Sequence, residues 1–181
     1  MSSKGEQFAQ KRERQLYQLK QFIDFQLMRN DSIEQPLLLT GDFNIDSIGS
    51  LDEHAKMMRI LEGEGQMEVS PSVEDLRIRN AISIAPLNKL KLQDILYEKY
   101  REHPVTFGHS IKGAVEEVEE TQAASVKESL DYLLWNPGSK NTLQCNVEST
   151  AVLPFSIPNN KDCLFVSDHF GISTQLSTMK K

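Results

Sequence analysis

Pro36-Leu37-Leu38-Leu39-Thr40-Gly41-Asp42-Phe43-Asn44 is the stretch on which the fold turns. Three consecutive leucines between a proline and a glycine are too short a run for a helix. They read as a strand covered on both faces. The apolar run stops at Gly41, and Asp42 and Asn44 follow at once. Polar side chains at the C-terminal end of a buried strand lie where α/β sheets gather their ligands, so Asp42 and Asn44 are the first candidate site residues.

Upstream, Leu16, Leu19, Phe22, Ile23 and Leu27 recur every three to four residues between Lys11 and Arg29, which predicts an amphipathic helix ended by Asn30-Asp31-Ser32. Downstream, a second helix is expected from Leu51 to Leu61, with Leu51, Ala55, Met58 and Leu61 inward and Gly63 and Gly65 as the stop. Pro71 to Pro86 has no assignable pattern. Leu90, Leu92, Ile95, Leu96 and Tyr100 suggest a third helix before His103-Pro104. Glu116, Glu117, Glu119 and Glu120 make the stretch Gly113 to Lys127 a solvated, mobile loop.

Strands are then expected over Ser129–Trp135 and Val147–Phe155, divided by the turn signal Asn136-Pro137-Gly138. Pro154, Pro158, Asn159 and Asn160 mark an irregular connection, and Phe165 to Ile172 leads into a last strand reaching Leu176. Helices alternating with strands predict an α/β layered domain, and 181 residues suit a single domain in the first instance.

With 20 basic against 26 acidic residues the net charge is -6, and Lys11-Arg12-Glu13-Arg14 is the densest basic run, which disfavours a nucleic-acid footprint. An acidic metal site would also lower the charge. Cys145 and Cys163 are too few for a disulfide framework and read as two unpaired thiols, with one bridge left open. Residues 1–6 lack the apolar core of a secretory signal, and no apolar run approaches the roughly 20 residues of a membrane span. The expectation is a soluble chain, cytoplasmic by default.

Two further motifs carry chemistry: Asp131 within Ser129-Leu130-Asp131-Tyr132, and Asp168 with His169 within Ser167-Asp168-His169. Singly, a turn, a strand-end carboxylate and a cap would account for them and for Gly41-Asp42. As an ordered trio over roughly Arg12 to Leu176, the chain resembles the endonuclease/exonuclease/phosphatase superfamily, whose members include pancreatic deoxyribonuclease, deadenylases, inositol polyphosphate phosphatases and neutral sphingomyelinases. The resemblance implies a four-layered α/β sandwich with mainly antiparallel sheets, and phosphate-ester hydrolysis with Mg2+. It also implies that Asp42 and Asn44 act at the phosphate, that Asp131 orients His169, and that Asp168 acts at the metal or the attacking water, with Asp42 as a weak second metal ligand.

Elementary chemistry agrees with that division of labour. Attack on a phosphodiester needs a positioned water, charge stabilisation on the phosphoryl oxygens and help for the leaving alkoxide. A histidine held by a carboxylate handles a proton near neutral pH, and an asparagine donates to phosphate without charge repulsion. Either His169 or Asp42 could serve as the base.

The segment His103-Pro104-Val105-Thr106-Phe107-Gly108 is similar to the His-Pro-x-Thr-aromatic-Gly loop of neutral sphingomyelinases, which implies Thr106 and Phe107 as substrate-binding residues at the site entrance. With the acidic insertion and the negative charge, this favours sphingomyelin cleaved to ceramide and phosphocholine, a phospholipid head group as ligand, and peripheral membrane contact. A nuclease or deadenylase, or an inactive truncated binding protein, are the alternatives. Inositol phosphatases are disfavoured because no Trp-Cys-Asp-Arg segment precedes Ser167. His54 and His103 read as surface or packing residues, and His109 is left open. The family's first-strand Asn, its metal-holding Glu and a further upstream His have no counterpart, so residues 1–181 are expected to form a partial, C-terminal portion of such a domain, weak in metal binding and inclined to associate.

Overall fold

The computed structural model describes residues 3–29, 34–64, 89–108, 127–140, 142–153 and 167–179. The expectations for Asn30-Asp31-Ser32, Gly65, Pro71 to Pro86, His109, the four acidic residues 116–120, the 154–160 connection and Cys163 lie outside them. In chain order the elements are α1 (Ser3–Arg29), β1 (Leu37–Asp42), α2 (Leu51–Glu62), β2 (Gln93–Asp94), α3 (Ile95–Tyr100), β3 (Asp131–Asn136), β4 (Leu143–Leu153) and β5 (Gly171–Thr178). The class is mixed α/β. One sheet has the order β1-β3-β2 with β2 antiparallel to β3, and the other is the antiparallel pair β4-β5.

The chain gathers into two compact units, residues 1–37, 52–92 and 136–142 in the first and 38–51, 93–135 and 143–181 in the second. In the first, α1 buries Leu16, Tyr17, Ile23 and Leu27. Phe22, expected inward, is 55% exposed, while Lys20 and Asp24 are buried. Their side chains pair one helical turn apart at 2.6 Å, which is what admits two charges to that face. Ion pairs Arg12–Glu53 at 3.2 Å and Lys56–Glu13 at 3.1 Å tie α1 to α2.

The inward face of α2 is Met57, Ile60 and Leu61. Of the expected set only Leu61 is there: Leu51 and Ala55 are exposed and Met58 is half-buried. Residues 57, 60 and 61 form one i, i+3, i+4 face, and Leu51 stands off it at the first helical position. Gly63 stops the helix as expected. Its φ of 82° permits the Gly63 amide to donate to the Ile60 carbonyl at 3.1 Å and the Glu64 amide to donate to the Arg59 carbonyl at 2.8 Å.

In the second unit, Tyr132, Leu133, Leu134 and Trp135 of β3 are all buried. Leu133 and Trp135 cluster with Ile95, and Leu143, Cys145, Val147 and Ile172 pack against that group. The third helix begins later than its apolar spacing predicts. Asp94 caps it, its Oδ1 accepting from the Tyr97 amide at 3.1 Å, so Leu90 and Leu92 precede it. The strand read from Val147 begins at Leu143. In β1, expected to be covered on both faces, Leu38 is 36% exposed and Leu37 and Leu39 are only half-buried. Cys145 has a free thiol, 3.6 Å from Thr174 Oγ1. Among the described residues no helix is long and apolar enough to cross a membrane.

The face assigned to α2 separates two substitutions of similar chemistry. Met57→Ala should cost about 2–5 kcal/mol in urea unfolding because Met57 is fully buried. Leu51→Ala, at a residue 67% exposed, should stay within about 0.5 kcal/mol.

Candidate active site

The loop leaving β1 is built around Asp42. Asn44 takes a left-handed φ of 53°, which asparagine tolerates, and folds back on the aspartate. Asp42 Oδ1 accepts the Asn44 amide at 2.7 Å, and Oδ2 accepts Asn44 Nδ2 at 3.0 Å. The loop is also fixed to the start of β3. Phe43 donates its amide to the Leu130 carbonyl at 2.9 Å and sets its ring edge-on to Tyr132 at 5.6 Å. Asp46 accepts from the amides of Ile48 and Ser129 at Oδ1, both at 3.0 Å, and from Gly49 at Oδ2 at 2.8 Å. Tyr132 donates its hydroxyl to the Ile45 carbonyl at 2.6 Å, and burial pushes that hydroxyl well above the ordinary tyrosine range, so it stays a donor.

A second backbone seam holds the other side. Residues 106–108 lie between Glu128 and residues 168–170: Thr106 and Phe107 donate to the Glu128 carbonyl at 2.9 and 3.0 Å, Gly108 to the Asp168 carbonyl at 3.0 Å, and Phe170 to the Thr106 carbonyl at 2.8 Å. This seam brings His169 to Asp131. The Nδ1–Oδ2 distance is 2.9 Å, and Nε2 lies 4.0 Å from Asp42 Oδ2. With Nδ1–H donating to Asp131, the neutral ring carries its lone pair on Nε2. Phe107 packs its ring on the imidazole, centroids 4.9 Å apart.

His169, Asp131, Asp42 and Asn44 are thus brought together. Asp168 adjoins them with an exposed side chain and adds its charge at His169. Phe107 is half-buried against the histidine. Thr106 needs a correction: it is 0% exposed, and its hydroxyl oxygen accepts the amides of Leu130 at 2.9 Å and Asp131 at 3.0 Å, so it does not line an entrance. The His103 ring lies 5.0 Å from Tyr97 and 6.5 Å from Tyr132, with Nδ1 3.7 Å from Asp94 Oδ2. Sequence reasoning missed Asp46 and Tyr132. Asp46 lay within reach of it, since an acid followed by Ser47-Ile48-Gly49-Ser50 is a turn signal.

Asp42 and Asp168 are the carboxylates beside His169 that would hold a magnesium ion. Both oxygens of Asp42 already accept from Asn44. Among the described residues, neither Asp42 nor Asp168 belongs to a group of three ligating side chains within reach of one another. No family model matches the chain, and neither does any curated protein or solved structure.

The hydrogen bond to Asp131 raises the pKa of His169 above 6.5; partial burial opposes it, and the charges of Asp131, Asp42 and Asp168 add to it. A raised folded-state value means that the stability it brings is present in full below the unfolded-state value and is lost as pH rises through the folded one. A proton NMR titration should place the His169 midpoint above 6.5, Asp131→Asn should lower it, and the wild-type excess in stability over that variant should shrink as pH is raised through the midpoint. A midpoint unmoved by Asp131→Asn would contradict the assignment.

Proposed function

We propose that this chain supplies the phosphate-facing half of a phosphodiesterase of the endonuclease/exonuclease/phosphatase type, on part of a four-layered sandwich, with a phospholipid of the sphingomyelin class as substrate. The observation that carries the reading is the quartet itself: a carboxylate-held histidine whose Nε2 faces Asp42 at 4.0 Å, with Asn44 folded onto the same carboxylate. His169, oriented by Asp131, accepts or returns a proton at Nε2. Asn44 offers an amide donor to a phosphoryl oxygen, and the hydrogen bond to Asp131 favours the cationic form of His169 beside it. The substrate class rests on the His103–Gly108 resemblance, now carried by Phe107 rather than Thr106, and on the net charge of -6, which disfavours duplex DNA and poly(A).

A second reading has an observation of its own. Because Asp42 and Asp168 lack a third ligating partner among the described residues, the chain could bind a phosphoryl group without turning it over. Magnesium, where it acts, would supply charge neutralisation on the phosphoryl oxygens.

The test uses the purified chain on bis(p-nitrophenyl) phosphate, sphingomyelin, duplex DNA and poly(A) over a magnesium series. The expected result is slow hydrolysis that does not saturate at ordinary magnesium concentrations, is greatest on sphingomyelin among the biological substrates, and falls at least about 100-fold in His169→Ala. Faster turnover of nucleic acid would move the protein to a nuclease or deadenylase role, and hydrolysis unchanged by His169→Ala would remove the catalytic reading.

A further inference from the structure

Thr106 touches both halves of the histidine–aspartate pair without being part of it. Its hydroxyl oxygen takes two amides at the head of β3, Leu130 at 2.9 Å and Asp131 at 3.0 Å, using both acceptor positions a hydroxyl has. Its carbonyl takes the amide of Phe170, the residue after His169, at 2.8 Å. Its own amide donates to Glu128 at 2.9 Å, three residues before Asp131. One fully buried residue therefore hydrogen-bonds the backbone on each side of the 2.9 Å contact between Asp131 and His169.

We propose that Thr106 is a positioning residue that sets the separation and alignment of Asp131 and His169, a role that rests on reading that pair as the proton-transfer machinery. Valine matches threonine in shape and offers no acceptor, so the buried Leu130 amide and the part-buried Asp131 amide would have to shift toward another partner or water. Moving the Asp131 amide moves the base of its side chain. Serine keeps the acceptor and loses a methyl group, which separates the hydroxyl's effect from simple packing.

The experiment compares Thr106→Val and Thr106→Ser in the full chain by three measurements: the low-field proton resonance of the His169 Nδ1–H, hydrogen exchange at the Leu130 and Asp131 amides, and kcat and KM on bis(p-nitrophenyl) phosphate. In Thr106→Val the resonance should vanish or move, exchange at the two amides should quicken by about tenfold or more, and kcat should fall about 10- to 100-fold with KM nearly unchanged. Thr106→Ser should keep the resonance and hold kcat within about threefold. A folded Thr106→Val with the wild-type resonance overturns the proposal, as does a folded Thr106→Ser that has lost it; the serine variant alone decides should the valine variant not fold. The resonance and the exchange are read on resting protein, so absent turnover in the wild type counts against the phosphodiesterase reading and leaves the positioning role tested.

Discussion

The 2.9 Å hydrogen bond between His169 Nδ1 and Asp131 Oδ2 joins residues 38 apart in sequence, one at the head of β3 and one just before β5. It decides which ring nitrogen carries the proton, and so which is left for chemistry. A partly exposed imidazole in free rotation would present either nitrogen to solvent and hold no fixed relation to Asp42. The charge arrangement around it follows the same logic. One carboxylate is bonded to Nδ1, a second stands 4.0 Å from Nε2, and the third, Asp168, adds its field from the adjacent position.

Holding two side chains at hydrogen-bond distance requires backbone that does not drift, and the second unit provides this mostly through polar groups. Asp46 takes three amides, Thr106 two, and the Tyr132 hydroxyl closes on the Ile45 carbonyl. The Leu130 amide and the Tyr132 hydroxyl are buried, and these bonds keep them from being left unpaired away from water. Beneath them the apolar cluster around Ile95, Leu133 and Trp135 fixes β3 from the other end. In the first unit the buried charges Lys20 and Asp24 are paired, so that removing either would leave the other uncompensated.

The candidate site was legible as an ordered trio of motifs and the resemblance they carry, and not from any one residue: Asp42 and Asn44 after three leucines, Asp131 beside Leu130, and His169 before Gly171-Ile172. What escaped were groups whose bonds reach distant backbone. Asp46 meets Ser129 83 residues away, and the Thr106 hydroxyl meets Asp131 25 residues away, contacts no local pattern announces. The loop resemblance implied that Thr106 faces substrate, and it carried no sign of the hydroxyl's bonds to Leu130 and Asp131. The helix existences came through from their periods, but the phases did not. Glu13, Lys20 and Asp24, three of the seven buried residues among those described in α1, hid part of its buried face behind charge, and in α2 Leu51 counted as core although it stands off the Met57, Ile60, Leu61 face. Leu90 and Leu92 extended the third helix on paper, where the cap at Asp94 starts it.

In the proposed reaction Asp131 acts only through His169. A double-mutant cycle on phosphodiester hydrolysis at high magnesium, using His169→Ala, Asp131→Ala and the pair, addresses it most directly. The account predicts strong non-additivity: with His169 gone, removing Asp131 should cost no more than about a further twofold. Costs that add across the two sites would show that the carboxylate and the imidazole work separately, and the pair at the centre of the site would then be a structural contact.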